Sequence, residues 1–224
     1  MKSIDRQSAY EPATHVIHEN GLCDRIVATC EAEKGWIQSY LGKHCPPVEV
    51  TDVKRFFRLP ENDKTGQTYF IISKSPRPLH LLYLGRRHPL KGLAFLESAL
   101  TTYYNKWSKS TTSSHLGEPP DTTYYNKRSV EFRAVSNAFG EELEKVWNWC
   151  DVLVLPTLSE NFGLVIAEAL ERGKRVITTD GAPAWGDGNT YGGRLTYLRG
   201  YRDGIDAERV AKLKSAIEDL ICTR

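Results

Sequence analysis

The sequence predicts an α/β protein whose main domain is a doubly wound parallel sheet. Val152–Leu155 is a short, continuous apolar run, which is typical of a strand buried on both faces. An apolar helix follows it, and Arg175–Thr179 then forms the next strand. Leu79–Leu84 is another apolar strand, which runs into a glycine turn and a helix with leucines on one face. Strand–helix–strand units this short favour right-handed parallel crossovers.

A polar loop separates the strand Val152–Leu155 from its helix. Ser159 or Asn161 can cap that helix, and Gly173 is placed to end it in a left-handed conformation. Ligands of parallel sheets bind beyond the carboxyl ends of the strands, where this loop lies. Free N–H groups and the positive end of the helix dipole suit a phosphate, and Gly163 lets backbone approach an anion closely.

Two carboxylates flank this loop and helix. Glu160 precedes the helix, and we expect Glu168 about two turns inside it. Eight residues of helix rise roughly 12 Å, which is too far for the pair to share a proton. The spacing suits two carboxylates that hold opposite ends of one elongated ligand through its hydroxyl groups. For either residue alone, an ordinary capped helix with a solvated glutamate is the commoner explanation.

A basic turn follows the strand Leu79–Leu84 and predicts a second anion site. The candidate residues are Gly85, Arg86, Lys91 and Gly92. Arginine offers a fork of donors and lysine a point charge, so both suit a phosphate. The turn is not a Walker loop, because no Gly-Lys-Ser/Thr follows the spacer. Arg87 and His88 could be solvated, and a basic turn alone is usually just protein surface.

Residues 79–185 resemble the nucleotide-sugar-binding domain of the retaining GT-B glycosyltransferases of group 1, family 4. The segments that carry the resemblance are Gly85-Arg86-x4-Lys91-Gly92, Cys150–Pro156, Glu160-x7-Glu168 and Val176–Pro183. Ser-Glu-Asn-Phe-Gly with a later Gly-Ala-Pro is most like the bacterial enzymes of lipopolysaccharide and exopolysaccharide assembly. The resemblance therefore implies a Rossmann-like donor domain of GT-B type.

The resemblance also implies roles for the motif residues. Arg86 and Lys91 would contact the donor diphosphate and offset charge on the leaving group. Glu160 would hold hydroxyls of the donor sugar, and Glu168 would hold the ribose hydroxyls. Glu160, Arg86 and Lys91 would be catalytic, and the remaining donor contacts would come from Gly85, Asn161, Phe162, Gly163 and Leu164. The family retains anomeric configuration and typically needs no metal, and we expect no cofactor beyond the nucleotide diphosphate sugar.

The same resemblance divides the chain into three parts. Residues 1–60 correspond to a truncated acceptor-side segment, residues 61–78 to a linker and lead-in, and residues 79–224 to the donor domain. Within the first part, Ile26–Val50 contains a strand, a helix and a second strand. The donor domain would end in an amphipathic helix, Asp206–Ile221. A chain of 224 residues supplies one domain of about 150 residues and part of another.

Two further features fit the family less directly. His18 ends a short strand that resembles an acceptor-side segment with a histidine near the reaction centre, although a histidine without a catalytic task is commoner there. Thr101–Lys106 recurs as Thr122–Lys127, which is too short for a solenoid repeat. Trp107–Ser114 is too polar for the buried strand of the family, so we expect an eroded edge strand or a disordered surface loop.

Composition excludes several classes of protein. A formal net charge of +2 argues against a dedicated nucleic-acid binder. The five cysteines are scattered, and no signal peptide is evident, so we expect free thiols in a reducing cytoplasm. No apolar run is long enough to span a bilayer. Peripheral contact with the inner membrane face is still an open alternative.

The sequence therefore predicts transfer of a hexosyl group, with retention, from a nucleotide diphosphate sugar to a saccharide or lipid-linked acceptor. The alternative is a catalytically incomplete donor-domain fragment that binds a nucleotide or a complementary subunit. A nucleotide-sugar epimerase is disfavoured, because the fingerprint Gly-x-Gly-x-x-Gly is absent.

Overall fold

Two parallel strands joined by a helix form the described part of the amino-terminal unit. The computed structural model describes residues 25–42, 45–61, 77–103, 108–110, 123–127 and 130–222. The chain divides after Val53 into two compact units. In the first unit, β1 (Ile26–Ala28) pairs with β2 (Val48–Val50), and α1 (Glu31–Leu41) connects them. The strand, helix and strand predicted between Ile26 and Val50 are confirmed.

One mixed sheet forms the centre of the second unit. Its strands are β3 (Leu79–Leu84), β4 (Ser108–Ser110), β5 (Thr123–Lys127), β6 (Val130–Val135), β7 (Val152–Leu155), β8 (Arg175–Thr179) and β9 (Leu195–Leu198). Among the residues the structure describes, their order across the sheet is β4-β5-β6-β3-β7-β8-β9. The strands from β6 to β9 are parallel, whereas β4 and β5 are antiparallel additions at one edge.

The central strands are buried because they are almost wholly apolar. All four residues of β7 are buried, as are Leu79, Leu81 and Leu82 of β3. This burial confirms the apolar runs as central parallel strands. The connecting helices are α2 (Leu93–Tyr103), α3 (Gly140–Trp149) and α4 (Leu164–Glu171). The predicted apolar face of α2 is confirmed by its buried residues Leu93, Leu96 and Leu100.

The chain reverses its direction of winding between β3 and β7. It passes from β3 to β6 on one side, and the next connection returns past β3 to β7 on the other side. Right-handed crossovers that run in opposite directions place α2 and α3 on opposite faces of the sheet. This is the doubly wound α/β fold that the sequence predicts. The connections after β3 and β7 lead to helices on opposite faces of the sheet, and ligands of such sheets bind at the carboxyl edge beside this switch point.

Part of the duplicated sequence forms a strand at the edge of the sheet. The second copy of Thr-Thr-Tyr-Tyr-Asn-Lys forms β5, whereas the first begins as the last turn of α2, Thr101–Tyr103. At the two positions described in both copies, Thr102 and Tyr103 are helical, whereas Thr123 and Tyr124 lie in a strand. Ser108–Ser110 forms the short outer strand β4, which confirms the edge-strand alternative for these residues. The rest of Trp107–Ser114 lies outside the described residues.

An amphipathic helix, α5 (Asp206–Cys222), ends the described chain. Its apolar side buries Leu213, Ile217 and Leu220, and the helix packs against α2. The helix predicted over Asp206–Ile221 is therefore confirmed. No helix in the part of the chain described here is both long and apolar enough to cross a membrane.

Candidate functional site

A lysine and a glutamate from two loops meet at the carboxyl edge of the sheet, beside β3 and β7. Lys91 Nζ lies 2.5 Å from Glu160 Oε2, although 69 residues separate them in sequence. Their side chains are only 16% and 18% exposed. Lys91 ends a 3₁₀ turn, Pro89–Lys91, whose His88 side chain accepts a hydrogen bond from Leu90 N. The two candidate loops therefore share one nearly buried ion pair at the switch point of the sheet.

Backbone contacts hold these two loops together. Leu158 N donates to Leu90 O at 2.7 Å, and Thr157 Oγ1 donates to the same carbonyl at 3.0 Å. Gly92 lies directly against the other loop, so that a Cβ there would stand 1.9 Å from Pro156 O. Gly92 also has a left-handed φ of +69°. Only glycine fits both the conformation and the close approach without a rearrangement.

The loop after β8 supports Glu160 from the other side. Glu160 N donates to Gly181 O at 2.8 Å, and Thr179 Oγ1 donates to Thr157 O. A Cβ on Gly181 would lie 2.1 Å from Thr157 O, so this loop also makes a close backbone approach. Sequence reasoning assigned no role to Thr157 or Gly181. A threonine and a glycine just after neighbouring parallel strands are the signal that could have identified them.

Gly163 is the N-cap residue of helix α4. It takes a left-handed φ of +78° at the N-cap position. The predicted cap by Ser159 or Asn161 is therefore wrong, because the helix starts at Leu164 and its N-cap residue is Gly163. A Cβ on Gly163 would lie 3.2 Å from Glu160 Cγ, so the glycine packs directly beneath the site glutamate.

Glu168 stands one turn inside α4, and the predicted position two turns inside is wrong. The helix spans Leu164–Glu171, so the residues before Leu164 contribute loop and not helical rise. Glu168 is half-buried, and burial raises the pKa of its carboxyl. The guanidinium of Arg172 lowers that pKa, whereas the carboxylates of Glu144 and Glu171 raise it further.

The turn after β3 presents an arginine to solvent. Gly85 N donates to Val135 O at 3.1 Å, and Ser136 Oγ donates to Gly85 O at 2.9 Å. Tyr83 Oη donates to Arg86 O at 2.7 Å, and burial raises the pKa of this phenol to about 12. The tyrosine therefore stays a neutral donor and fixes the backbone of the turn. The Arg86 side chain is exposed and forms no ion pair with any residue in the described ranges.

The remaining predicted residues divide between the core and the surface. Phe162 is buried, and its ring stacks on Phe57 with the centroids 6.2 Å apart. Trp185 Nε1 donates to Phe162 O at 2.5 Å. Asn161 and Leu164 are exposed beside the loop.

His18 lies outside the described residues. Within those residues, no cluster of histidine, cysteine, aspartate or glutamate is arranged to hold a metal ion.

This fold and these loops define a doubly wound α/β protein with its candidate site at the switch point of the sheet. The chain belongs to the glycosyl transferases of group 1, because that family profile matches residues 78–221. The match covers more than half of the chain and includes both loops of the candidate site. A comparison with curated protein sequences gives no match.

Solved structures share the fold at low sequence identity. The GtfA/B complex matches at 17% identity with a TM-score of 0.51, over 92% of this chain and 40% of that chain. The pneumococcal O-GlcNAc transferase GtfA in complex with UDP and GlcNAc matches at 14% identity with a TM-score of 0.55, over 95% and 41%. Anabaena HepE in complex with UDP and glucose matches at 16% identity with a TM-score of 0.51, over 96% and 58%.

These likenesses show the fold, which is α/β with a parallel sheet as in the GT-B glycosyltransferases. The chain spans about two fifths of the length of the two GtfA structures and under three fifths of the length of HepE.

Proposed function

We propose that the carboxyl edge of the sheet binds a nucleotide diphosphate sugar and serves transfer of its hexosyl group, with retention, to a saccharide or lipid-linked acceptor. The observation that carries the proposal is the Lys91–Glu160 pair, because it joins a cation and a hydroxyl acceptor at the point where doubly wound sheets bind nucleotides. Residues 79–224 are then the donor domain.

The cations of the turn after β3 fit the diphosphate. Arg86 is exposed on the turn after β3, and Lys91, at the end of the following 3₁₀ turn, is nearly buried. A bound diphosphate would compete with Glu160 for the Lys91 ammonium, so that ligand charge replaces the internal ion pair. Glu160 would then be free to accept hydrogen bonds from donor-sugar hydroxyls. Both cations also offset the negative charge that develops on the departing nucleotide diphosphate.

The loop and helix after β7 fit the other parts of the donor. The amino end of α4, with the backbone of Phe162, Gly163 and Leu164, offers N–H donors to phosphate oxygens. Gly85 and Asn161 border this cradle. Glu168, one turn further along α4, accepts hydrogen bonds from the ribose hydroxyls. Two structural neighbours are complexes of UDP with GlcNAc and of UDP with glucose, which makes UDP the first ligand to test.

The finer assignment follows the motif resemblance. Family 4 chemistry retains the anomeric configuration, and the form of the motifs is most like bacterial lipopolysaccharide and exopolysaccharide assembly. On this proposal the protein acts in the cytoplasm, and a lipid-linked acceptor would bring it to the inner membrane face.

Calorimetric titration of the full chain with UDP and GDP tests the donor site. We expect Lys91→Ala and Glu168→Ala each to weaken binding by about 1.5–3 kcal/mol, because each removes a hydrogen bond to or from a charged group. That loss corresponds to roughly 10- to 150-fold in Kd. Lys145→Ala, which removes an exposed lysine from α3, is the matched control and should bind as the wild type does. Equal affinity of all four proteins would refute the site assignment.

The alternative function is a donor-binding module that needs a complementary subunit. It is favoured by one structural neighbour, which is the GtfA/B complex. A labelled nucleotide sugar separates the two proposals. Release or transfer of the label by the isolated chain would establish an enzyme, whereas tight nucleotide binding without any turnover would establish the module.

A further inference from the structure

A short segment at the start of the second unit contacts both ends of the loop–helix element that carries the candidate carboxylates. We call residues 54–58 the 54–58 segment. The ring of Phe57 stacks on Phe162, which lies just before α4. The backbone N–H of Arg58 donates to Glu171 Oε1, at the last residue of α4, over 3.3 Å. The segment therefore brackets the helix whose amino end lies at the proposed phosphate cradle.

A lysine fixes the start of this segment. Lys54 Nζ donates to Asp187 Oδ2 at 2.7 Å, and the lysine side chain is only 17% exposed. The same ammonium lies 4.9 Å from the ring centroid of Trp185 and 5.5 Å from that of Tyr191. Both distances are within the range of cation–π attraction. One cation thus contacts an anion and two aromatic faces in a largely desolvated position.

Asp187 is held in its ionised form at this contact. Burial alone would raise the pKa of its carboxyl. Hydrogen bonds from Lys54, from Asn189 N and from Tyr191 Oη, with the charge of Lys54, outweigh burial and hold that pKa below its ordinary value. Asp187 therefore faces the Lys54 side chain as a carboxylate at neutral pH.

The indole under Lys54 leads directly to the candidate site. Trp185 is fully buried, and its Nε1 donates to the carbonyl oxygen of Phe162 at 2.5 Å. Phe162 lies between Glu160 and Gly163, which are two residues of the proposed donor site. A shift of the indole would therefore move the backbone on which Glu160 and the amino end of α4 depend.

We propose that Lys54 is a positioning residue for the donor site, acting through Trp185 and Phe162 on the loop that carries Glu160. It does not touch the ligand; it selects the one position of the Trp185 indole that places the Phe162 carbonyl and its loop correctly. The proposal rests on the proposed function, because it assigns Lys54 to the site that binds the nucleotide.

The test uses the full chain and the nucleoside diphosphate, among UDP, GDP and ADP, that the wild type binds most tightly. Lys54→Met keeps the length and apolar packing of the side chain but removes its charge. We expect it to weaken binding roughly 3- to 30-fold, the range for residues that modulate a site without touching its ligand. Lys54→Arg keeps a cation over the two rings and should restore affinity to near the wild-type value. Lys145→Met is the matched control.

Circular dichroism at the titration temperature verifies that every variant is folded. Asp187→Asn removes the charge of the other partner and so tests the same contact independently. The double variant Lys54→Met/Asp187→Asn should bind no more weakly than the worse single variant, because both substitutions break one contact. Binding by Lys54→Met within two-fold of the wild type, while Lys91→Ala binds more weakly, overturns the inference and leaves the proposed function intact. Equal binding by the wild type and Lys91→Ala overturns both.

Discussion

Glu168 illustrates how a site residue can oppose the stability of its own fold. Its carboxylate is half-buried on α4, and burial together with Glu144 and Glu171 raises its pKa despite the nearby Arg172. A folded-state pKa above the ordinary value of 4.5 means that folding favours the protonated form. The stability that this group contributes is present below its unfolded pKa and is lost as the pH rises through the raised folded pKa.

Glu168→Gln should therefore raise the thermal stability of the protein at neutral pH. The neutral amide removes the half-buried charge, so we expect a higher Tm than the wild type at about pH 7 and a difference that vanishes near pH 4. The same variant should bind the nucleotide more weakly, because an amide is a weaker acceptor for ribose hydroxyls. Scanning calorimetry across pH measures the first effect. Glu97→Gln on α2 is the matched control for the loss of one helical glutamate.

At the scale of elements, the site depends on loops that touch through their backbones. Gly92 shows this most clearly, since its missing side chain allows the turn after β3 to lie against Pro156. Gly173, at the end of α4, has a nearly identical φ of +71°, but a Cβ added there would meet no atom within 4 Å. Alanine substitutions at the two glycines therefore distinguish two contributions to the free energy of unfolding. One is the cost of a left-handed backbone, and the other is the cost of disrupting the contact between the loops.

Gly92→Ala should destabilise the protein far more than Gly173→Ala. The control variant carries only the conformational cost of a left-handed alanine, about 1–2 kcal/mol. Gly92→Ala adds the displacement of the Pro156 loop, so we expect a total loss of about 3 kcal/mol or more in the free energy of unfolding. Urea denaturation of both variants measures the difference. Equal losses would show that the two loops do not depend on the close approach.

The same elements show what the sequence could and could not predict. The bounds of β3 and β7 follow directly from their apolar runs, because strands buried on both faces require continuous hydrophobic sequence. The start of α4 could not be predicted in this way, because Gly163 takes a left-handed conformation that no capping pattern indicates. Lys91 and Glu160 were both predicted at the carboxyl edge. Their ion pair depends on how loops 69 residues apart lie against each other, which local sequence does not specify.

At the scale of the whole sheet, one ion pair lies at the amino ends of β3 and β7 and another lies at their carboxyl ends. At the amino edge, the Arg77 guanidinium donates to both oxygens of Asp151, at 2.8 and 2.7 Å, and His80 N donates to the same carboxylate. Each of these bonds joins β3, or the residues just before it, to Asp151 at the start of β7. The Arg77–Asp151 pair therefore holds the amino ends of the two strands together. At the carboxyl edge, Lys91 and Glu160 pair with each other, and on the proposed function the diphosphate replaces Glu160 as the partner of Lys91.

Nucleotide binding should therefore protect one edge of the sheet and leave the other unchanged. In hydrogen exchange of the full chain with saturating UDP, we expect slower exchange for amides of residues 85–92 and 157–168, because the proposed function places them beside the diphosphate and ribose. Amides around Arg77, His80 and Asp151 should exchange as in the free protein. Lys91→Ala at the same UDP concentration should lose most of the protection, since its affinity is lower. Protection centred on the amino edge, or protection that survives Lys91→Ala undiminished, would place the ligand elsewhere and contradict binding at the switch point.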